Sequence, residues 1–350
     1  MANLNRIRKI MVSAAAKEAS YGAGAAVNSL IRVDSENLPT PKHQIINDQD
    51  LLGGTEEASD QEIIAKAYSL PFGQKRVKPH TLAFWAAYAL GAVATSTPAT
   101  ATLTRKHVFT PKANDPAMPS FAVEALFKSG VQKLFPGGFF GDGTLRVNRG
   151  ANRMVSLQSN ILLSGNHSAG TGNVTEKAEA ALNGGNSSVF LSTSGYSGTN
   201  DDDLDLATSD LGGTPVDISS PTRSLEWQFQ NNPDEDDLYR LGSGLFYGAA
   251  ERGERSQKLM FNYDYADHTE VDRLEAQTQV AAQFKLRGAL IETGFYYGMN
   301  LIFPALKHTN TQVVVDKGKL VNQVEMQVLE DATYGSVILV VFNKQTAYAA

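Results

Sequence analysis

In "SLEWQFQNN", Leu225, Trp227 and Phe229 alternate with Glu226 and Gln228, the period of two that gives a strand one apolar face. The alternation recurs over 259–265, where Leu259, Phe261, Tyr263 and Tyr265 oppose Met260, Asn262 and Asp264. It appears again over 121–128, where Phe121, Val123, Ala125 and Phe127 oppose Ala122, Glu124, Leu126 and Lys128. "GTLRVNRGANRMVSLQSNILLSG" reads as two strands joined by a turn at 149–152. "YYGMNLIFPALKH", "TQVVVD", "NQVEMQVLED" and "GSVILVVFNK" are also strand-like, and a short strand is expected at 29–33.

Two stretches switch to helical spacing. Pro79 pre-sets the entry to a segment in which Leu82, Trp85, Ala86, Ala89 and Leu90 share a face, and Gly91 ends it. A second helix is expected over 269–288, capped by Thr269 with Asp272 three residues on. Its stripe is Val271, Leu274, Thr278, Ala281 and Ala282, and Gly288 stops it.

These elements divide the chain into an extended arm (1–60), a β domain (61–164), a Gly/Ser/Asn/Asp-rich linker or insertion (165–215) and a second β domain (216–350). Each half shows strands, one helix ended by glycine, a strand running into Pro111 or Pro304, and more strands. Such repeated grammar is what a tandem duplication leaves behind.

Composition narrows the function classes. At 350 residues with 42% apolar and 19% charged residues, the chain can bury a sizeable core. Its 31 basic and 37 acidic residues give a net charge of −6, which opposes tight wrapping of nucleic acid. With no cysteine, disulfides, thiol nucleophiles and cysteine metal sites are excluded. The N-terminal apolar run is too short for a secretory signal, and no stretch would span a bilayer as a helix.

Candidate chemistry is sparse. His43, His80, His107, His167, His268 and His308 lack metal-ligand spacing and read as surface or packing residues. Asp201, Asp203 and Asp205 have the stagger of a calcium loop, but Leu206 replaces its turn glycine and Gly212 its bidentate glutamate. "GGFFGDG" reads as a hairpin turn exposing Phe139 and Phe140. No catalytic, cofactor or metal residue is nominated. The residues singled out instead are a sheet core or assembly face, Phe121, Val123, Leu225, Trp227, Phe229, Phe261, Tyr263 and Tyr265, and an acidic inter-ring loop, Asp234, Glu235, Asp236 and Asp237.

The order of four passages resembles the tail tube (major tail) proteins of long-tailed bacteriophages. They are "IRKIMVSAAAKEASYGAGAAVNSLIRV", "HVFTPKANDPAMPSFAVEALFKSG", "SLEWQFQNN" and "LEDATYGSVILVVFNK". The resemblance implies a mainly β fold of the tail-tube type, a β-sandwich or half-barrel with flanking helices, here duplicated in tandem. It implies a virion tail component, assembled in the host cytoplasm, that forms trimeric or hexameric rings stacked into a tube. Tape-measure, tail terminator and baseplate proteins would be partners, DNA would pass through the lumen without specific binding, and neither a membrane nor a cofactor would be involved. The competing class is a carbohydrate-binding β-sandwich on a virion or cell surface, stacking sugars on Phe139, Phe140, Tyr196 and Trp227. A capsid or head-decoration protein would show a more helical layout.

Overall fold

The computed structural model describes residues 9–33, 38–48, 60–113, 115–128, 130–148, 154–198 and 204–348. Among them are two helices, α1 (Pro79–Leu90) and α2 (Thr269–Glu275); the rest of the regular structure is β. Every strand ladder is antiparallel, so the mainly β expectation holds.

One arm of the sheet runs from Thr40–Pro41 through Tyr68–Gln74, Val155–Leu163, Asp142–Asn148, Thr222–Gln230 and Ser256–Asp264 to Lys319–Val328. Lys319–Val328 pairs with the distal half of Phe295–Asp316. The proximal half of that strand belongs to a second arm, flanked by Val280–Glu292 and Ile338–Asn343 and ending at Gly91–Ser96 through Arg105–Pro111. A third wing, Ser29–Ile31, Lys9–Val12, Phe121–Lys128 and Val131–Phe140, joins Val155–Leu163 through Phe139 and Phe140. Among the described residues the ladder branches but never returns on itself, so the sheet is open and is not a closed barrel.

Register sets the core. Leu145 lies opposite Trp227, Trp227 opposite Leu259, and Leu259 opposite Met326, so the period-two apolar faces of four strands align. Against them lies α1, buried along all twelve residues. A helix apolar on every side belongs in an interior, so the single apolar face read from its spacing understates its environment. Trp85 meets Trp227 edge-on at 5.5 Å, and Phe84 meets Phe121 at 4.9 Å. Pro79 stands at the start of α1, and Gly91 ends it at φ 89°, a backbone geometry that suits glycine.

The second helix departs from expectation. It stops at Glu275, and Val280–Glu292 is a strand. Val280 to Leu286 is buried on both faces, so the stretch loses its period of two and reads as a helix. Thr269 is not the cap acceptor either; its N–H donates to Asp267 Oδ1 at 3.0 Å. Pro304 lies within Phe295–Asp316, where Ala282 faces Phe303 and Val280 faces Leu306. Pro304 and Ala305 thus stand against one residue, a bulge that suits a residue without an N–H.

Residues 165–198 and 204–215 are not a free linker. Ser187–Ser192 pairs with Val280–Glu292 over six positions, and Leu182, Val189 and Leu191 join the main core. That core contains residues from both halves of the chain. Part of the expected arm lies on the body: Lys9–Val12 is held between Phe121–Lys128 and Ser29–Ile31. The turn at 149–152, residues 1–8, and Asp201 and Asp203 lie outside the described residues.

Candidate functional site

The singled-out apolar residues form an interior. Phe121, Val123, Leu225, Trp227, Phe229, Phe261 and Tyr263 are buried; Tyr265 is half-buried, with its ring edge-on to His268. Phe121 and Val123 stand on the third wing, whereas Leu225 and Phe261 lie directly opposite each other. The expectation that Phe139 and Phe140 are exposed is overturned, because both are buried in Val131–Phe140, and Phe140 packs on Phe72, Phe84 and Phe121. Tyr196 and Trp227 are buried too, so none of the four aromatics nominated for sugar stacking offers a face to a ligand.

Some of what faces outward is apolar. Gln44–Asp48 and Asp60–Ala65 form a two-stranded sheet of their own, on which Ile45 and Ile46 are each 53% exposed and Ile64 47%. A second hairpin, the distal part of Phe295–Asp316 with the start of Lys319–Val328, carries Val313 (38% exposed), Val315 (72%) and Leu320 (49%). It turns at Lys317 and Gly318, φ 49° and 79°, the left-handed pair of a tight hairpin turn. Grouped apolar side chains in solvent mark interaction surfaces, and an isolated two-stranded sheet is marginal in water.

A third feature is an edge. Among the described residues, Gly91–Ser96 has a strand partner only on its Arg105–Pro111 side. Its sequence, "GAVATS", contains no charge and no proline, the usual devices that stop an edge from recruiting another chain.

The acidic loop is partly engaged within the chain. Glu235 accepts from Lys42 Nζ at 2.5 Å and from the Tyr247 hydroxyl at 2.8 Å, while Asp234, Asp236 and Asp237 are exposed. On the outer face of the first arm, Arg146 pairs with Glu226 and Lys258 with Glu325. Alternating polar positions thereby become a face of balanced charge. Neither a protein-family model nor a curated protein matches this chain.

Several polar residues that organise this architecture carry no warning in the sequence. Asn231 is buried and its Nδ2 donates to Ala89 O and Phe140 O, while Arg255 donates to Leu90 O and Lys112 O. Together they satisfy the last carbonyls of α1, where positive charge is favoured. Burial, with Arg252 nearby, lowers the Arg255 pKa to about 10. Glu18 is buried and accepts from the N–H groups of Gly22, Gly24 and Gly137 and from Ser120 Oγ, which pins the "EASYGAG" loop to the third wing.

Two histidines are held uncharged. Burial, aided by Lys177, His107 and Lys78, pushes His80 down to about 3. Burial outweighs the Asn343 hydrogen bond and lowers His107 to about 4. Both pack on Tyr348, which suits the packing role read from their spacing. Among the described residues no cluster of His, Asp or Glu could hold a metal ion.

Proposed function

We propose that this chain is a structural subunit that closes with its own copies into rings, and that the rings stack into a hollow tail tube through which DNA passes. The observation that carries the reading is the unguarded edge strand Gly91–Ser96. A neighbouring copy pairing there would extend the open sheet around a ring, and head-to-tail contacts of that kind close on themselves. The two hairpins with exposed Ile45, Ile46, Ile64, Val313, Val315 and Leu320 supply apolar surface for ring-on-ring contact. The outer face of paired charges suits a wall that DNA passes without sticking.

The finer fold reading is a pair of tube-like halves in tandem, three copies giving a pseudo-sixfold ring. It draws support from a repeated order: α1 leads into the hairpin Gly91–Ser96/Arg105–Pro111, and α2 into the hairpin Val280–Glu292/Phe295–Asp316. Tape-measure, terminator and baseplate proteins remain the partners this reading assigns, with the virion tail as its location.

Negative-stain microscopy of concentrated, folded protein tests it. The expected result is rings and tubes on the order of 100 Å wide, a width set by closing many strands around one axis. Persistence as isolated monomers, with virions lacking the chain still bearing complete tails, overturns it.

A further inference from the structure

A buried polar group lies beneath 204–215. Lys285 is 0% exposed, on Val280–Glu292, and lies directly opposite Asn300 on Phe295–Asp316. Opposite residues of an antiparallel pair carry their side chains on one face, about 5 Å apart at Cβ. Asp210, also buried, reaches both: its Oδ1 is 3.6 Å from Lys285 Nζ, and its Oδ2 accepts from Asn300 Nδ2 at 2.7 Å. Gln283 Nε2 donates to Asn300 Oδ1 at 2.9 Å and to Asp210 Oδ2 at 2.7 Å. Gln283 is itself fixed, since its Oε1 accepts from Asp210 N and Ser209 Oγ. Leu204, Leu211, Ala281, Ile302 and Val340 form an apolar cluster on the same side of the chain.

An amine, a carboxamide with a donor on its oxygen, and a carboxylate bonded to the amide nitrogen and 3.6 Å from the amine are the parts of an acyl transfer. From this geometry we infer that Lys285 and Asn300 join in an intramolecular isopeptide bond, with Asp210 carrying the proton. Lys285 Nζ gives a proton to Asp210 Oδ1, and its lone pair attacks Asn300 Cγ. The carbonyl electrons move to Oδ1, where the Gln283 N–H holds the developing charge. Asp210 hands its proton to Nδ2 and takes one from the attacking nitrogen. The Cγ–Nδ2 bond then breaks as the carbonyl reforms. The new amide keeps a single N–H, the Asn300 nitrogen leaves as ammonia, and the remaining proton departs with it from Asp210 as ammonium. No oxidant or cofactor is needed, and holding the reactants together in a dry site provides the rate. The product ties two adjacent strands of the second arm covalently, independently of any ring or tube.

Intact-mass spectrometry of the folded full-length chain tests this. The expected mass is that of the sequence less one ammonia, and digestion should yield one branched peptide containing Lys285 and Asn300. Asn183-Gly184 can also lose ammonia by local ring closure, so the branched peptide decides. Chain kept in denaturant from synthesis onward should show the full mass and lose ammonia on refolding. K285R and D210N, if they fold, should keep the full mass. Unlinked peptides bearing Lys285 and Asn300 from folded wild-type protein overturn the inference whether or not the variants fold. Loss of one water, with Asp210 in the branched peptide, overturns the role given to Asn300.

Discussion

Around α1, apolar side chains are enclosed by the chain itself; on the two projecting hairpins the same residue types stand in solvent. Trp85, Trp227 and Phe229 form an edge-on aromatic cluster with no exposed surface, whereas Ile45, Ile46 and Val315 are more than half exposed. A single strand shows both conditions. Phe295–Asp316 is buried over most of its proximal half and open to solvent over most of its distal half. The difference teaches that this sequence specifies more apolar surface than one copy can cover. The covered part decides whether the chain folds, and the proposed assembly would use the uncovered part.

Breaking the covered side should have the largest effect. Trp85→Ala removes a fully buried ring, and a loss of about 3–5 kcal/mol is expected in denaturant unfolding. The opposite error should also be severe. A Cβ at Gly143 would meet Trp85 Cζ2 at 2.2 Å, so Gly143→Val forces the ring out of its place and should lower the unfolding midpoint steeply.

Acid should attack the covered side next. His80 and His107 have folded pKa values of about 3 and about 4, both below the unfolded value near 6.5. Above pH 6.5 neither state binds the proton, so these groups do not affect stability. As pH falls below about 6.5 the unfolded chain takes up protons that the folded chain refuses, and each histidine then costs about 1 kcal/mol per pH unit. That loss continues down to the folded values. Glu292, held at about 2 by Thr102 and Thr104, acts in the same direction at lower pH, since its contribution is present above the unfolded carboxylate range and is lost as pH falls towards 2. Unfolding monitored from pH 7 to pH 4 should show this decline, and H107Q should flatten it; an unchanged slope would contradict the buried-neutral assignment.

The two sides were unequally legible in the sequence. Strands with one wet face, such as Thr222–Gln230 and Ser256–Asp264, announced themselves because each polar residue marks the solvent side. α1 was equally plain, with Pro79 and Gly91 at its ends. Val280–Glu292 was not, because burial on both faces erases the alternation that identifies a strand. Nothing in the sequence marks Asn231, Glu18, Asp210 and Lys285 for burial, and only tertiary packing shows them enclosed. The two-stranded sheet of Gln44–Asp48 and Asp60–Ala65 lies in a stretch that reads as polar arm, and its isoleucines acquire meaning only once the structure leaves them uncovered. The edge strand is not legible in the sequence, since nothing in "GAVATS" says which side of the strand lacks a partner.

Substitutions on the uncovered side should barely touch folding and yet separate two kinds of contact. Ala94 is exposed on the edge strand, so Ala94→Lys adds the charge that edges normally use to refuse a partner. The triple change Ile45→Asp, Ile46→Asp and Ile64→Asp places carboxylates at positions that are already about half exposed. Each variant should unfold within about 0.5 kcal/mol of wild type, as surface changes usually do. In microscopy they should part company. The edge variant should yield no closed rings, because the strand pairing that closes them is refused. The hairpin variant should yield rings that do not stack, because only the axial apolar contact is lost. If both variants still form full-length tubes, the uncovered surfaces are not the assembly contacts. If the triple variant unfolds with the severity of Trp85→Ala, its isoleucines belong to the fold, and the contrast between the two sides fails.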